Sequence, residues 1–222
     1  MRLIRTLLCA AAIGLSAAVA ASPAEPKNGV EYLTLPEAQN TDAAGKVEVT
    51  EFFAYYCPHC QRFEPLLAEW VRKQGNNIVF KRVHVPAGPS VMAQQRLFYT
   101  LEALGLLGTH HQKVFDAMHV ERVRLASDEQ VLAWAGKAGI DQAKFTEAWN
   151  SFGVQAKLRR AGAMMAAYRV ESWPMVAVGG RYMTSPSQAG EASSAPLTEE
   201  QQGQAALQVM DFLVAKAKAE KK

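Results

Sequence analysis

The sequence predicts an α/β fold: a central mixed sheet flanked by helices and interrupted by an all-helical insertion. Three observations predict it. A strand-like apolar run, an amphipathic run and a second strand-like run follow one another over residues 46–85. Residues 89–169 then carry helical periodicity with no β-branched alternation. A strand, a Gly-Gly turn and a strand return at 173–185, ahead of a last helical run. With 222 residues, 49% of them hydrophobic, the chain can bury a core in one domain with a subdomain.

Residues 1–20 come first and read as a secretory signal peptide. Arg2 and Arg5 precede the uncharged apolar run "LLCAAAIGLSAAVA", and "AVA" puts small residues before Ala21. That run is short for a membrane span. Cleavage after Ala20 removes Cys9, which lies inside the apolar run and lacks the setting of a lipid anchor. The mature chain then enters an oxidising compartment.

Residues 30–88 form the first part of the sheet domain. "VEYLTL" (30–35) is a first strand, and "KVEVTEFFAYY" (46–56) alternates and then turns apolar throughout, as a buried central strand does. A helix starts at about Cys57. Pro58 suits its first position, where a missing N–H has no helical partner anyway. Phe63, Leu66, Leu67, Trp70 and Val71 keep helical spacing, and Pro65 should kink this helix or remove one of its hydrogen bonds. "NNIVFKRVHV" (76–85) is the next core strand.

The insertion, 89–169, reads as successive helices. Ser127 with Gln130 resembles a capping box, and Asp141 suits an N-cap. Residues 170–222 complete the sheet domain with the hairpin "WPMVAVGGRYMTS", a Ser/Gly/Pro-rich loop at 185–197, and a helix capped by Thr198. The basic end "KAKAEKK" reads as a solvated helix terminus. With a net charge of +3 and scattered basic residues, no nucleic-acid partner is indicated.

Without Cys9, the mature chain holds only Cys57 and Cys60, with Pro58 and His59 between them. Such a pair can be a staple, part of a metal site or a redox centre. A structural disulfide stabilises by closing a long loop, and this one closes only four residues. Two cysteines cannot make a four-cysteine zinc site, and no histidine pair shows ligand spacing, so no metal is expected. A redox pair fits best, and CxxC beside a βαβ unit reads as thioredoxin-like.

"FFAYYCPHCQRFEP", the helical insertion and "WPMVAVGGRY" together resemble the DsbA family, the exported thiol oxidases of Gram-negative bacteria. The resemblance runs from about residue 30 to the C-terminus. It implies a monomeric periplasmic enzyme, with no cofactor, that gives the Cys57–Cys60 disulfide to unfolded secreted proteins. A membrane reoxidant of DsbB type then passes the electrons to quinone. This chain departs at Trp173, where the family usually carries a smaller residue such as Val or Thr, which leaves substrate preference open. An isomerase would need dimerisation, and a metal-binding module would use Cys57 and Cys60 as ligands.

The roles follow from chemistry and from the resemblance. Cys57, at a helix N-terminus, faces free N–H groups and the positive end of the dipole, so it should be the nucleophile. His59 can add a donor or a positive charge. Low thiol pKa arises in such settings, and the DsbA family is itself a recognised example. Cys60, one turn on, should be the resolving cysteine. By resemblance, Pro174 is a cis proline facing the disulfide, leaving the Trp173 backbone free to pair with an extended substrate. Trp173 then widens an apolar platform, or else is a core residue. Met175 is a candidate for the substrate groove, whereas Met164 and Met165 read as core filling. Glu51, in the buried strand, is by resemblance a proton-relaying acid with Arg82 as its basic partner; pointing outward, it is merely solvated. Glu64 reads equally as a tuning or a surface residue, and His84 as a packed histidine.

Overall fold

The computed structural model describes residues 25–43 and 45–220. The signal segment and Cys9 lie outside the described residues. Among those described, the sheet has five strands, β1 (Leu33–Thr34), β2 (Val47–Phe53), β3 (Ile78–His84), β4 (Met175–Val178) and β5 (Tyr182–Thr184), in the order β1-β5-β4-β2-β3. β2 runs parallel to β3 and antiparallel to β4, so the sheet is mixed. Every residue of β2 is buried. A strand covered on both faces needs the near-continuous apolar run that the sequence supplies.

The first strand is shorter than expected. Only Leu33 and Thr34 pair, with Met183 and Tyr182 of a three-residue partner at the sheet edge, and Val30 and Leu33 are exposed. The hairpin turns on Gly179 and Gly180, with φ of 63° and 71°. A side chain at Gly180 would also meet the Gln39 carbonyl oxygen, so glycine is required twice over.

Helix α1 (Pro58–Gln74) crosses from β2 to β3 with Cys57 as its N-cap. It runs through Pro65, where the missing N–H leaves the Gln61 carbonyl without its usual donor. Its buried stripe is Cys60, Phe63, Glu64, Leu67 and Trp70. Phe63, Leu67 and Trp70 of this stripe pack on Val47 and Val49 of β2 and on α8 (Glu199–Glu220). The approach of α8 is close, since a Cβ at Gly203 would stand 2.8 Å from a Leu66 methyl. Trp70 Nε1 donates to Asp211 at 2.8 Å and ties the two helices laterally. Thr198 and Gln201 form a full capping box, each side chain accepting the other's backbone N–H.

Between β3 and β4 lie α2 (Met92–Ala103), α3 (Leu107–His119), α4 (Asp128–Lys137), α5 (Gln142–Trp149) and α6 (Phe152–Ala167). Ser127 and Asp141 cap α4 and α5 as expected. The partner of the Gln130 side chain is the Ala126 N–H rather than that of Ser127. These helices share one apolar cluster with Phe52 and Phe53, so the end of β2 is anchored in the insertion's core. The stretch 185–197 is not all loop. Ser185 accepts the Gln188 N–H and Pro186 takes the first position of a short helix, α7 (Pro186–Gly190). Ser followed by Pro is a helix start as well as a turn signal.

Candidate functional site

Alternation along β2 puts Glu51 on the same face as Val47 and Val49, the face that α1 covers. The end of β2 then delivers the chain to Cys57, so both cysteines sit above Glu51. They are unbonded and buried. The Cys60 backbone N–H donates to Cys57 Sγ at 3.3 Å, the N-cap bond of α1. The Cys57 thiol is lowered from 9.0 to about 6. Its largest cause is a hydrogen bond from the Cys60 side chain. Burial opposes this, while the backbone N–H groups of Cys60 and His59 and the charge of His59 assist it. Cys60 moves the other way. Burial pushes its thiol far up, and the hydrogen bond to Cys57 and its charge push it further. The two sulfurs are therefore inequivalent: one leaves readily as thiolate and the other requires a proton.

His59 is the exposed member of the motif. Its Nδ1 lies 2.9 Å from Glu199 Oε1 at the start of α8, and Arg62 also binds that carboxylate. Trp173 and Pro174 stand across from the cysteines. Their peptide bond is cis, and the Trp173 carbonyl oxygen lies 3.6 Å from Cys57 Sγ. Trp173 is half-buried, and its ring meets Tyr56 edge-on, with centroids 6.3 Å apart. Both residues line a groove of about 400 Å³ with Phe63, Pro186 and Glu199. Met175 begins β4, half-buried and packed on the core cluster; it does not line this groove.

Glu51 is buried, not solvated. Its cross-strand partner is Arg82, whose Nε donates to Glu51 Oε2 at 2.9 Å. Lys81 points elsewhere, to Glu48 and Asp42. Burial raises Glu51 to about 8 against the pull of Arg82, and the negative charge of Glu64 adds to the rise. A carboxyl that holds its proton near neutral pH, beside sulfurs that exchange one, is equipped for proton transfer.

Glu64 is not a surface residue. Both its oxygens accept from Arg82 Nη2, at 2.7 and 2.9 Å, and His111 Nε2 approaches to 3.4 Å without completing a hydrogen bond. Burial would raise Glu64, but His111 and Arg82 outweigh it and hold the carboxyl below its ordinary value. Tyr55 OH meets His111 Nδ1 at 2.9 Å. His84 is packed as expected: it accepts the Tyr55 N–H on Nε2, and burial lowers it to about 3, so it stays neutral.

His111 and the inward face of Glu64 went unread in the sequence, although a signal existed. Glu64 falls on the stripe Cys60, Phe63, Leu67, and His111 on the stripe Val114, Phe115. A polar residue in register with an apolar stripe is buried and must find a partner.

Comparisons with known proteins agree with this geometry. Residues 48–195 match the family described as DSBA-like thioredoxin domain. The thiol:disulfide interchange protein DsbA of Burkholderia cepacia is 39% identical over 215 residues, covering 96% of this chain and 95% of that protein. DsbA of Bordetella parapertussis is 40% identical over 181 residues, covering 81% and 86%. A crystal structure of Pseudomonas aeruginosa DsbA superposes with a TM-score of 0.78 at 31% identity, covering 86% of this chain and 94% of that one. Reduced DsbA1 of Neisseria meningitidis superposes with a TM-score of 0.75 at 25% identity, covering 90% and 98%. The fold is thioredoxin-like, and the chain belongs to the DsbA family of thiol:disulfide interchange proteins.

Proposed function

We propose that this chain is an exported dithiol oxidase that gives its Cys57–Cys60 disulfide to newly secreted proteins in the periplasm. The observation that carries the reading is the inequivalence of the two sulfurs, with Cys57 lowered to about 6 at the N-cap of α1 and Cys60 buried behind it.

In the oxidised enzyme, a substrate thiolate attacks Cys57 Sγ. The Cys57–Cys60 bond breaks and Cys60 leaves with the electron pair. Burial makes its thiolate unstable, so it must take a proton, and Glu51 supplies it; the rise of its carboxyl to about 8, which keeps it protonated near neutral pH, supports this role. A second substrate thiolate then attacks the substrate sulfur of the mixed disulfide. Cys57 leaves as thiolate, which its low pKa favours. The substrate loses two electrons and the enzyme gains them. A membrane, quinone-linked reoxidant of DsbB type removes them again. The Trp173 carbonyl, beside Cys57, offers the substrate backbone an acceptor during the first attack.

Replacing Cys60 by Ser tests the assignment. The variant should trap substrate as a disulfide on Cys57, seen by mass spectrometry of non-reduced complexes. Trapping by Cys57→Ser instead would reverse the two roles.

A further inference from the structure

A second groove, of about 770 Å³, opens on the insertion side of the cysteines. It lies between the start of α2 and the segment that leaves α3, and Tyr56, Val91, Gln94, Met118, Arg122 and Arg124 line it. Tyr56 immediately precedes Cys57 and touches Trp173, which lines the groove on the other side. A polypeptide crossing Cys57 can therefore occupy both.

We propose that this second groove is a substrate subsite that takes an extended, acidic segment of an unfolded chain. The inference rests on the oxidase reading and names a substrate class for it.

Charge is the first argument. Among the described residues, neither Arg122 nor Arg124 makes an ion pair. Both are exposed. The exit from α3 holds them in place, because Val123 N–H donates to the Ala117 carbonyl at 2.8 Å and Arg122 adopts φ 61°. Glu121, the nearest acid in sequence, does not line this groove; with Asp116 it lines an adjoining one that Arg124 also borders, while Arg122 lines this groove only. The groove beside Trp173 differs, since Glu199 there already neutralises Arg62 and engages His59. Selection for negative charge thus belongs to the insertion side.

The second argument is polar. Gln94 is 5% exposed, and its Oε1 is buried without a hydrogen-bond partner. Native proteins seldom leave such an acceptor unmet. Gln94 lines the groove, and an extended peptide there carries free backbone N–H groups that supply the missing donor once the Gln94 amide turns outward. Val91, Met118 and Tyr56 provide an apolar wall for the side chains between the acidic ones.

The test uses the full mature protein and three peptides of equal length, each with two cysteines, flanked by Asp, Asn or Lys. Oxidation by wild type should give a kcat/KM about three- to tenfold higher for the Asp peptide than for the Lys peptide at low salt. That ratio should shrink as salt rises. It should fall below one in the R122E/R124E variant and approach one in R122Q/R124Q, which removes charge without reversing it. A ratio compares two substrates of one enzyme, so a general change in rate cancels. Equal rates with all three peptides, fastest oxidation of the Asn peptide, or a ratio unmoved by both variants would overturn the subsite while leaving the oxidase intact. A wild-type protein that oxidises none of the peptides would overturn the oxidase reading and the subsite with it.

Discussion

Cys57 and Glu51 titrate in opposite senses, and each sense can be measured. Cys57 is depressed, to about 6. A depressed acid stabilises the state that carries it at high pH, and that contribution is lost as pH falls through the folded value. The reduced protein should therefore gain stability over the oxidised one as pH rises from about 6 towards 9. Thiolate absorbance of the reduced protein should show its midpoint near 6; a midpoint near 9 would contradict the N-cap argument. Glu51 is raised, to about 8. Its contribution is fully present below about 4.5 and lost as pH rises through about 8. Glu51→Gln keeps the neutral shape at every pH. It should be more stable than wild type at pH 9, by an amount on the order of a few kcal/mol, and equal to it near pH 4, as read by denaturant unfolding. On the proposed relay, the same variant should slow disulfide exchange, because Cys60 would lose its proton donor. At this scale the sequence was readable where chemistry is local. Two cysteines around Pro-His at a helix start specify their own environment. Glu64 and His111 were opaque because their partners come from β3 and from the chain before α1, far away in sequence.

Elements transmit these residues to the site through a few contacts. The bond between Tyr55 OH and His111 joins the approach to Cys57 with α3 of the insertion. Tyr55→Phe removes it and leaves a buried ring nitrogen unpaired, so the protein should lose about 1–2 kcal/mol, measured as a shift in denaturant midpoint at constant slope. No loss would mean that the ring finds another partner. The α1–α8 contact has no room to spare. Gly203→Val drives branched carbons against Leu66 and Phe63 and should cost about 1–3 kcal/mol. The main helices and strands were legible because their periodicities are strong. The exceptions were elements held by their surroundings, namely β1, which keeps only two paired residues, and α7, a turn-like sequence with a proper cap.

The whole molecule places a reactive helix end between two walls, one from the sheet domain and one from the insertion. Parallel β2–β3 pairing sets Arg82 opposite Glu51, and antiparallel β2–β4 pairing brings Trp173 and Pro174 to Cys57. Strand order was the part no local pattern specified, because β2 pairs with a β4 more than 100 residues further along the chain. The central claim is that stabilising the Cys57 thiolate makes the disulfide an oxidant. Each unit of pKa below ambient pH raises the potential by about 30 mV for a two-electron couple. Equilibration of the purified protein with glutathione buffers, read by the ratio of reduced to oxidised enzyme, tests this most directly. We expect the enzyme to stay largely reduced in buffers where a reductase of the thioredoxin type is fully oxidised, with Cys57 titrating in parallel; an enzyme as reducing as thioredoxin would contradict the account.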